Sequence, residues 1–305
     1  MSHAIRYAHY GGADVLTLDE VSTPDPAPGQ VRIAVRFAGV NGIDWKIRRG
    51  FFAQGKPVDE AAGTGIEVAG TVDAIGSGIQ GWSVDQAVFG QVVSGALATH
   101  VLAVPQDLLA KPDWLSFQQA SALPVAAETA YRTLRQLDVK AGQTLLIHAV
   151  AGGVGLVAAQ LALAWRAQVV GTASPARHPF LRELGVHPVS YGDGLAERVR
   201  AAAPQGIAAV LDASGRDVLA VSIELTGSPD KVVTTADSCA ADYRVRFSSG
   251  DKAPMSEVFA EILPLLERGA LRMPIEKTFP LEHAADAHRL SEEGHLLGKI
   301  VISVT

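Results

Sequence analysis

Five residues carry the chemistry most legible in this chain: Ala151, Gly152, Gly153, Val154 and Gly155. They follow an apolar run of strand type, Leu145-Leu146-Ile147, and open onto a run of helix type from Leu156 to Trp165. A turn of this kind can hold a phosphorylated ligand. The first amides of a helix have no partners within it, and its dipole turns a positive end toward an anion. Gly152 lets backbone approach a pyrophosphate, and Gly155 lets helix and strand pack closely. Measured against G-x-G-x-x-G, the first glycine position holds Val150. A tight β-α turn without a ligand would leave a similar trace, and the strand before and helix after are what favour a dinucleotide.

The second chemical signal is an absence. Sites selective for NAD place a carboxylate about twenty residues past the glycine turn, where it accepts from the ribose 2′-OH. Here the stretch reads Gly171-Thr172-Ala173-Ser174-Pro175-Ala176-Arg177-His178, without an acid. Ser174 and Arg177 are suited to a 2′-phosphate. The expected coenzyme is therefore NADPH rather than NADH. The alternative for Arg177 is an ordinary solvated helix residue.

These residues need elements to place them. From residue 1 to about 117 the chain is β-rich. Val31 to Phe37 alternates apolar and polar with period two, and similar runs lie near Ala4–Tyr10, Val15–Val21, Glu67–Ile75, Ala87–Val93 and His100–Val104. Many short strands in succession predict a small barrel-like β domain. From 118 to 270 the texture changes. Helical periodicity runs from Phe117 to Leu137 with an interruption at Pro124. Strand and helix patterns then alternate, which predicts a parallel sheet with helices on both faces. Strands are expected at Thr144–Ala149, Gln168–Ala173, Pro188–Tyr191, Ala208–Asp212, Lys231–Thr235 and Val245–Phe247. Met255 to Arg268 reads as a helix kinked or broken at Pro264. Residues 271–305 end in a strand, Gly298 to Val304, expected to return to the β domain.

Composition bounds the function. The chain has 305 residues, 48% hydrophobic and 19% charged, enough for two domains with sizeable cores. Its formal net charge is −6 and it has no basic block, which argues against nucleic acid as a partner. One cysteine, Cys239, excludes an internal disulfide and a thiolate zinc cluster. The first residues lack the apolar stretch of a secretory signal, and no apolar run reaches membrane-spanning length. A cytoplasmic protein without membrane contact is the expectation.

Four segments in order resemble a known family. Ala38-Gly39-Val40-Asn41-Gly42-Ile43-Asp44 is similar to an A-G-V-N-P-x-D segment, and Gly65 to Val72 to a G-x-D/E-x-x-G-x-V element. Ala151 to Gly155 matches the nucleotide loop, and Phe279 to His288 with Gly298-Lys299-Ile300-Val301 resembles the C-terminal signature. The chain thus resembles the zinc-less, quinone oxidoreductase branch of the medium-chain dehydrogenases/reductases over nearly its whole length. The resemblance implies a GroES-like β-barrel domain beside an α/β Rossmann domain with a doubly wound parallel sheet. It also implies a homodimer through a Rossmann edge strand, for which Tyr243 to Phe247 is the candidate. Three features depart from the pattern: Gly42 where proline is usual, Val150 where a small residue is usual, and a short segment from Ser238 to Met255.

The resemblance assigns site residues. Thr129 matches the threonine beside the nicotinamide. Asn41 matches the asparagine that approaches the nicotinamide ribose or the substrate, with Asp44 and Trp45 on the same loop. Tyr191 stands where an adenosine-contacting tyrosine stands. Trp45, with Phe51 or Phe52, is a pocket wall or plain core. For Asp44 the favoured alternative is a cap for a helix starting at Trp45, and Glu67 is expected to hydrogen-bond structurally. By the same resemblance, the zinc-ligand positions of related alcohol dehydrogenases fall at Asn41, Ile66 and near Val125, so no metal is expected.

Chemistry then narrows the acceptor. Hydride addition to a saturated ketone creates a strongly basic alkoxide that needs stabilisation. Addition to a quinone gives a delocalised phenolate, and addition to an enone an enolate of intermediate demand. A quinone reductase is expected, with direct hydride transfer in a cleft shielded from water. Reduction of 2-alkenals or other enones remains open, as does a coenzyme-binding protein of low turnover.

Overall fold

The structure is a computed structural model and describes residues 1–250 and 252–304. Asp251 and Thr305, which belong to the segments 238–255 and 271–305 above, lie outside the described residues. The chain forms two compact units. The first is Met1–Val125 with Pro254–Ser256 and Pro274–Thr305, and the second is Ala126–Ala253 with Glu257–Met273.

The first unit begins with β1 (Ser2–Tyr7), β2 (Thr17–Val21), β3 (Val31–Val40), α1 (Gly42–Arg48) and β4 (Ala62–Gly63). It continues with β5 (Glu67–Ile75), β6 (Ala87–Gln91), β7 (His100–Ala103), β8 (Leu108–Ala110) and α2 (Phe117–Ser121). In β3, Val31, Ile33 and Val35 are buried while Arg32, Ala34 and Arg36 are not, so the period-two pattern is the pleat itself. The first predicted strand ends at Tyr7 rather than Tyr10.

The helix α3 (Pro124–Gln136) leads into the second unit. Pro124 is its first residue, where a missing N–H costs nothing, so the expected interruption is the gap between α2 and α3. Then follow β9 (Thr144–His148), α4 (Gly153–Ala164), β10 (Gln168–Thr172), α5 (His178–Glu183), β11 (His187–Val189) and α6 (Leu195–Ala202). The unit is completed by β12 (Ala209–Asp212), α7 (Leu219–Thr226), β13 (Val232–Thr234), β14 (Arg246–Phe247) and α8 (Met255–Glu267). Its strands form one six-stranded sheet in the order β11-β10-β9-β12-β13-β14, parallel throughout. All five residues of β9 are buried, as a central parallel strand requires. The break expected at Pro264 does not occur. The helix α8 runs on to Glu267 with Val258, Phe259, Ile262 and Leu265 buried, a spacing that holds one face against a core.

The tail supplies β15 (Ile275–Pro280), α9 (Ala284–Glu293) and β16 (Lys299–Ser303) to the first unit. Its seven-stranded sheet runs β15-β16-β3-β5-β6-β8, with β7 also paired to β3, and a three-stranded sheet runs β2-β1-β4. The returning strand β16 pairs antiparallel with β3, placing Ile300 opposite Val40.

Candidate active site

The polar centre of the first unit lies where β3, α1, β5 and β16 meet. Asn41 is the N-cap of α1, which starts at Gly42 and not at Trp45 as the sequence suggested. Asp44 is therefore the third helical residue rather than the cap. Its Oδ2 accepts from the Asn41 backbone N–H at 2.8 Å, the reciprocal arm of a capping box. Glu67 opens β5 and Lys299 opens β16, and both are buried. The Lys299 ammonium donates to Val40 O (3.1 Å), Asn41 Oδ1 (2.5 Å) and Glu67 Oε1 (2.6 Å), so its three N–H groups are all engaged. Glu67 Oε1 also accepts from Asn41 Nδ2 at 2.9 Å, and Glu67 Oε2 from the Val125 amide at 2.8 Å. Glu67 thus has the structural role expected of it.

Asp44 is sealed at 2% exposure. Burial pushes its carboxyl up to about 7, against the Asn41 backbone N–H and the Lys299 charge, which pull down. Its Oδ1 has no hydrogen-bond partner, and neither has Trp45 Nε1. Trp45 is half-buried and meets Phe51 edge to face, with centroids 5.9 Å apart. Phe51 and Phe52 are exposed at 65% and 54%. Asn41, Asp44 and Trp45 therefore share one helix start, beside a small aromatic surface.

In the second unit the glycine turn leaves β9, the strand from which the sheet order runs outward in both directions. Ligands of open α/β sheets bind at such a reversal, beyond the carboxyl ends of the strands. Ala149 adopts a left-handed conformation (φ 55°), and Val150 N–H donates to Thr172 O at 3.1 Å. Gly152 caps α4 without a side chain, and the first amide to bond within the helix is that of Leu156, to Gly152 O at 2.8 Å. A Cβ on Gly155 would stand 2.5 Å from Ala149 O and 2.7 Å from Val150 Cα, so only glycine lets α4 approach β9 this closely. Val150 has its own reason. Its Cγ1 lies 2.5 Å from where a Cβ on Gly171 would be, so its side chain fills room that the neighbouring strand leaves open.

Beneath the turn lies His148, wholly buried at the end of β9. Ser222 Oγ gives its proton to Val218 O (2.6 Å), so at 3.0 Å it accepts from His148 Nε2. His148 Nδ1 is then an acceptor, facing Thr172 Oγ1 at 3.4 Å, and Thr172 Oγ1 accepts from the Ala149 amide at 3.1 Å. Burial holds this imidazole neutral, with its pKa lowered to about 4 against the pull of Asp212. Asp212 ends β12 and accepts from Ser214 N and Oγ (2.8 and 2.6 Å), from Gly215 N and from Thr234 Oγ1 (2.7 Å).

The remaining predicted residues also lie in the second unit. Ser174 and Arg177, both half-buried, bound a short 3₁₀ turn after β10, and Tyr191, 49% exposed, follows β11. All three lie past the carboxyl ends of their strands, the end from which the glycine turn leaves β9. Thr129 is half-buried in α3, next to a Glu128 carboxylate held by Arg132 (2.8 Å) and the Ala253 amide (3.1 Å). Sequence reasoning gave no role to Lys299, His148 or Asp212. Lys299 does leave a trace, a lysine leading straight into the apolar run Ile300-Val301-Ile302.

A parallel sheet with this strand order and a glycine turn at its reversal, joined in one chain to a β unit, is the architecture of a two-domain dehydrogenase. Residues 27–113 match the alcohol dehydrogenase GroES-like domain, and residues 184–302 match the zinc-binding dehydrogenase family. The chain is 32% identical to a quinone oxidoreductase of Pseudomonas aeruginosa over 94% of its own length and 95% of that protein. The chain belongs to the medium-chain dehydrogenase/reductase family. It is also 34% identical to the pikromycin polyketide synthase component PikAII of Streptomyces venezuelae, over 93% of the chain but only 8% of that protein's length. Among solved structures it is similar to the quinone oxidoreductase from Coxiella burnetii (TM-score 0.90, 32% identity, 100% and 99% of the two chains). It is similar as well to the Escherichia coli quinone oxidoreductase complexed with NADPH (0.87, 25%, 99% and 100%) and to the CurK enoyl reductase (0.88, 25%, 100% and 99%). No described helix is long and apolar enough to cross a membrane. Among the described residues, no three or more His, Cys, Asp or Glu side chains are grouped to hold a metal ion.

Proposed function

We propose that this protein is an NADPH-dependent reductase of quinones that works without a metal. The observation that carries the reading is the closed Asn41–Glu67–Lys299 network. In it the buried carboxylate is already neutralised by an ammonium, and every lysine N–H is spent. At the positions that the resemblance assigns to zinc ligands stand an amide, an isoleucine and, nearby, a valine, and the carboxylate is already in use.

The chain fits the coenzyme. The α4 start, with Gly152 as a cap lacking a side chain, would hold the pyrophosphate on backbone N–H groups. Ser174 and Arg177 would take the 2′-phosphate, Tyr191 the adenosine, and Thr129 the nicotinamide end. Likeness to a quinone oxidoreductase complexed with NADPH supports this assignment. When bound, NADPH supplies a hydride. Asn41, fixed by Lys299 and Glu67, orients what lies against it, and the Trp45–Phe51 pair offers an apolar wall to an aromatic acceptor. A reduced quinone is a weak base and takes its proton from water, so no dedicated acid is required.

Enone reduction stays beside this reading because the chain is also similar to an enoyl reductase. The experiment is an acceptor panel of quinones and trans-2-alkenals with NADPH and with NADH, on chelator-treated protein, followed by loss of nicotinamide absorbance. Quinone-dependent oxidation of NADPH supports the proposal. A strict requirement for added metal, or turnover of alkenals alone, overturns it, and tight NADPH binding without turnover identifies a binding protein. Arg177→Ala should raise the KM for NADPH about tenfold, the loss of one charge-assisted contact, and leave NADH unchanged. The proposal includes a homodimer through edge strand β14, whose two residues are exposed, to be checked by light scattering.

A further inference from the structure

Between β11 and α6 the chain makes a turn, Tyr191-Gly192-Asp193-Gly194, whose four residues are all exposed. Gly192 and Gly194 have positive φ (89° and 73°), and Gly194 is the N-cap of α6 and offers no side-chain cap. Arg198, one turn into α6, reaches back to the turn's carbonyls. Its Nε donates to Ser190 O (2.9 Å), Nη1 to Asp193 O (2.6 Å), and Nη2 to Gly192 O (2.9 Å) and Tyr191 O (3.3 Å). Four consecutive carbonyls are thus gathered on one planar fork. A Cβ at Gly194 would lie 3.1 Å from Nη1, so the glycine leaves room for the guanidinium.

We propose that Arg198 is the positioning residue for coenzyme binding at this edge of the sheet, fixing the turn that presents Tyr191. This rests on the reading that Tyr191 meets the adenosine. Four of the five guanidinium N–H groups are already donated to the turn, so Arg198 acts through the backbone and not as a phosphate ligand. A lysine cannot replace it, because an ammonium offers three donors from a single point and no planar fork. Arg198 thereby differs from Arg177. Its loss disorders the adenosine site for every coenzyme, whereas Arg177 distinguishes the phosphorylated one.

The test uses the full chain and the variants Arg198→Ala, Arg198→Lys, Tyr191→Ala and the double variant. Hydrogen exchange by mass spectrometry, without ligand, should show faster exchange over residues 190–195 in both Arg198 variants and unchanged exchange in β9 and α4. By calorimetry, Arg198→Ala should weaken NADPH, NADH and 2′,5′-ADP by the same factor, about tenfold, since ordering the turn must now accompany binding. Affinity for reduced nicotinamide mononucleotide, which lacks the adenosine, should not move. Arg198→Lys should behave like the alanine variant, and the double variant should bind no more weakly than Tyr191→Ala. Unchanged exchange overturns the proposal, as does an effect confined to NADPH, full additivity with Tyr191→Ala, or rescue by lysine. If the unaltered protein binds no coenzyme, the reading under Proposed function falls, while the exchange result still decides what Arg198 does to the turn.

Discussion

The two units each bury a polar cluster at their candidate site, and the clusters differ in the groups they set next to it. In the first unit the cluster is ionic, with Lys299 and Glu67 in contact at 2.6 Å and Asp44 sealed nearby. In the second unit a chain of neutral groups, Ser222, His148 and Thr172, runs up to the glycine turn, while the buried Asp212 carboxylate that pulls on His148 is held by Ser214, Gly215 and Thr234. The difference follows from what each place must receive. A turn that awaits a dianionic ligand is better supported by neutral groups, which leave the positive helix end unopposed. In the first unit the Asn41 amide is held between fixed charges, its Oδ1 by Lys299 and its Nδ2 by Glu67. Buried ion pairs add little net stability, so this one is better understood as fixing geometry.

The comparison breaks most visibly at Lys299. Lys299→Met should leave Glu67 charged and unpaired in the interior, at a cost of about 3–5 kcal/mol in urea unfolding. The Lys299→Met/Glu67→Gln pair should recover part of that loss, and a smaller loss from Lys299→Met alone would show the pair to be hydrated. Next comes Gly155→Ala. The added Cβ meets backbone at 2.5 Å and 2.7 Å, so a loss of up to about 3 kcal/mol and much weaker coenzyme binding are expected. Unchanged melting would mean that α4 can retreat from β9.

Acid sharpens the contrast. Burial lowers His148, and likewise His288, which is wholly buried on α9, to about 4, so both are neutral in the fold, while an unfolded chain takes up these protons at about 6.5. Their contribution to stability is complete above that value and is lost as pH falls toward 4. Asp44 works in the other direction. Its folded carboxyl keeps a proton up to about 7, so its contribution grows as pH falls toward 3.8 and is lost as pH rises through 7. Two histidines outweigh one aspartate, and stability should fall between pH 6.5 and 4.5 by on the order of 2 kcal/mol. Asp44→Asn should steepen the fall and His148→Asn should flatten it, as followed by unfolding at three pH values; the reverse order would overturn the assignment. The smallest effect is expected from Ser222→Ala, which removes the acceptor of His148 Nε2 and should cost about 1 kcal/mol. A neutral result there would place the imidazole proton on Nδ1.

Local pattern carried most of the architecture. The run Glu67–Ile75 is the strand β5 residue for residue, although its first four residues are buried on both faces and only its far end is partly open. The glycine turn was legible because its chemistry lies in consecutive residues. Lys299 and Glu67 are 232 residues apart, and no short window can pair them. His148 looked like one more strand residue, because its partners Thr172 and Ser222 come from β10 and α7. Of the kink or break expected at Pro264 the break is absent, since the apolar face of α8 outweighs the one N–H that proline lacks. Asp44 misled by a single turn of helix, because its carboxylate reaches back to the residue that caps.

Val150 and Gly171 share a single small volume, and neither can change alone. Enlarging residue 171 collides with the valine, and shrinking residue 150 leaves a hole under the nucleotide turn. Anyone grafting a glycine-richer loop into this chain should therefore carry a bulkier partner on the adjacent strand, and in related sequences the two sites are expected to vary in concert.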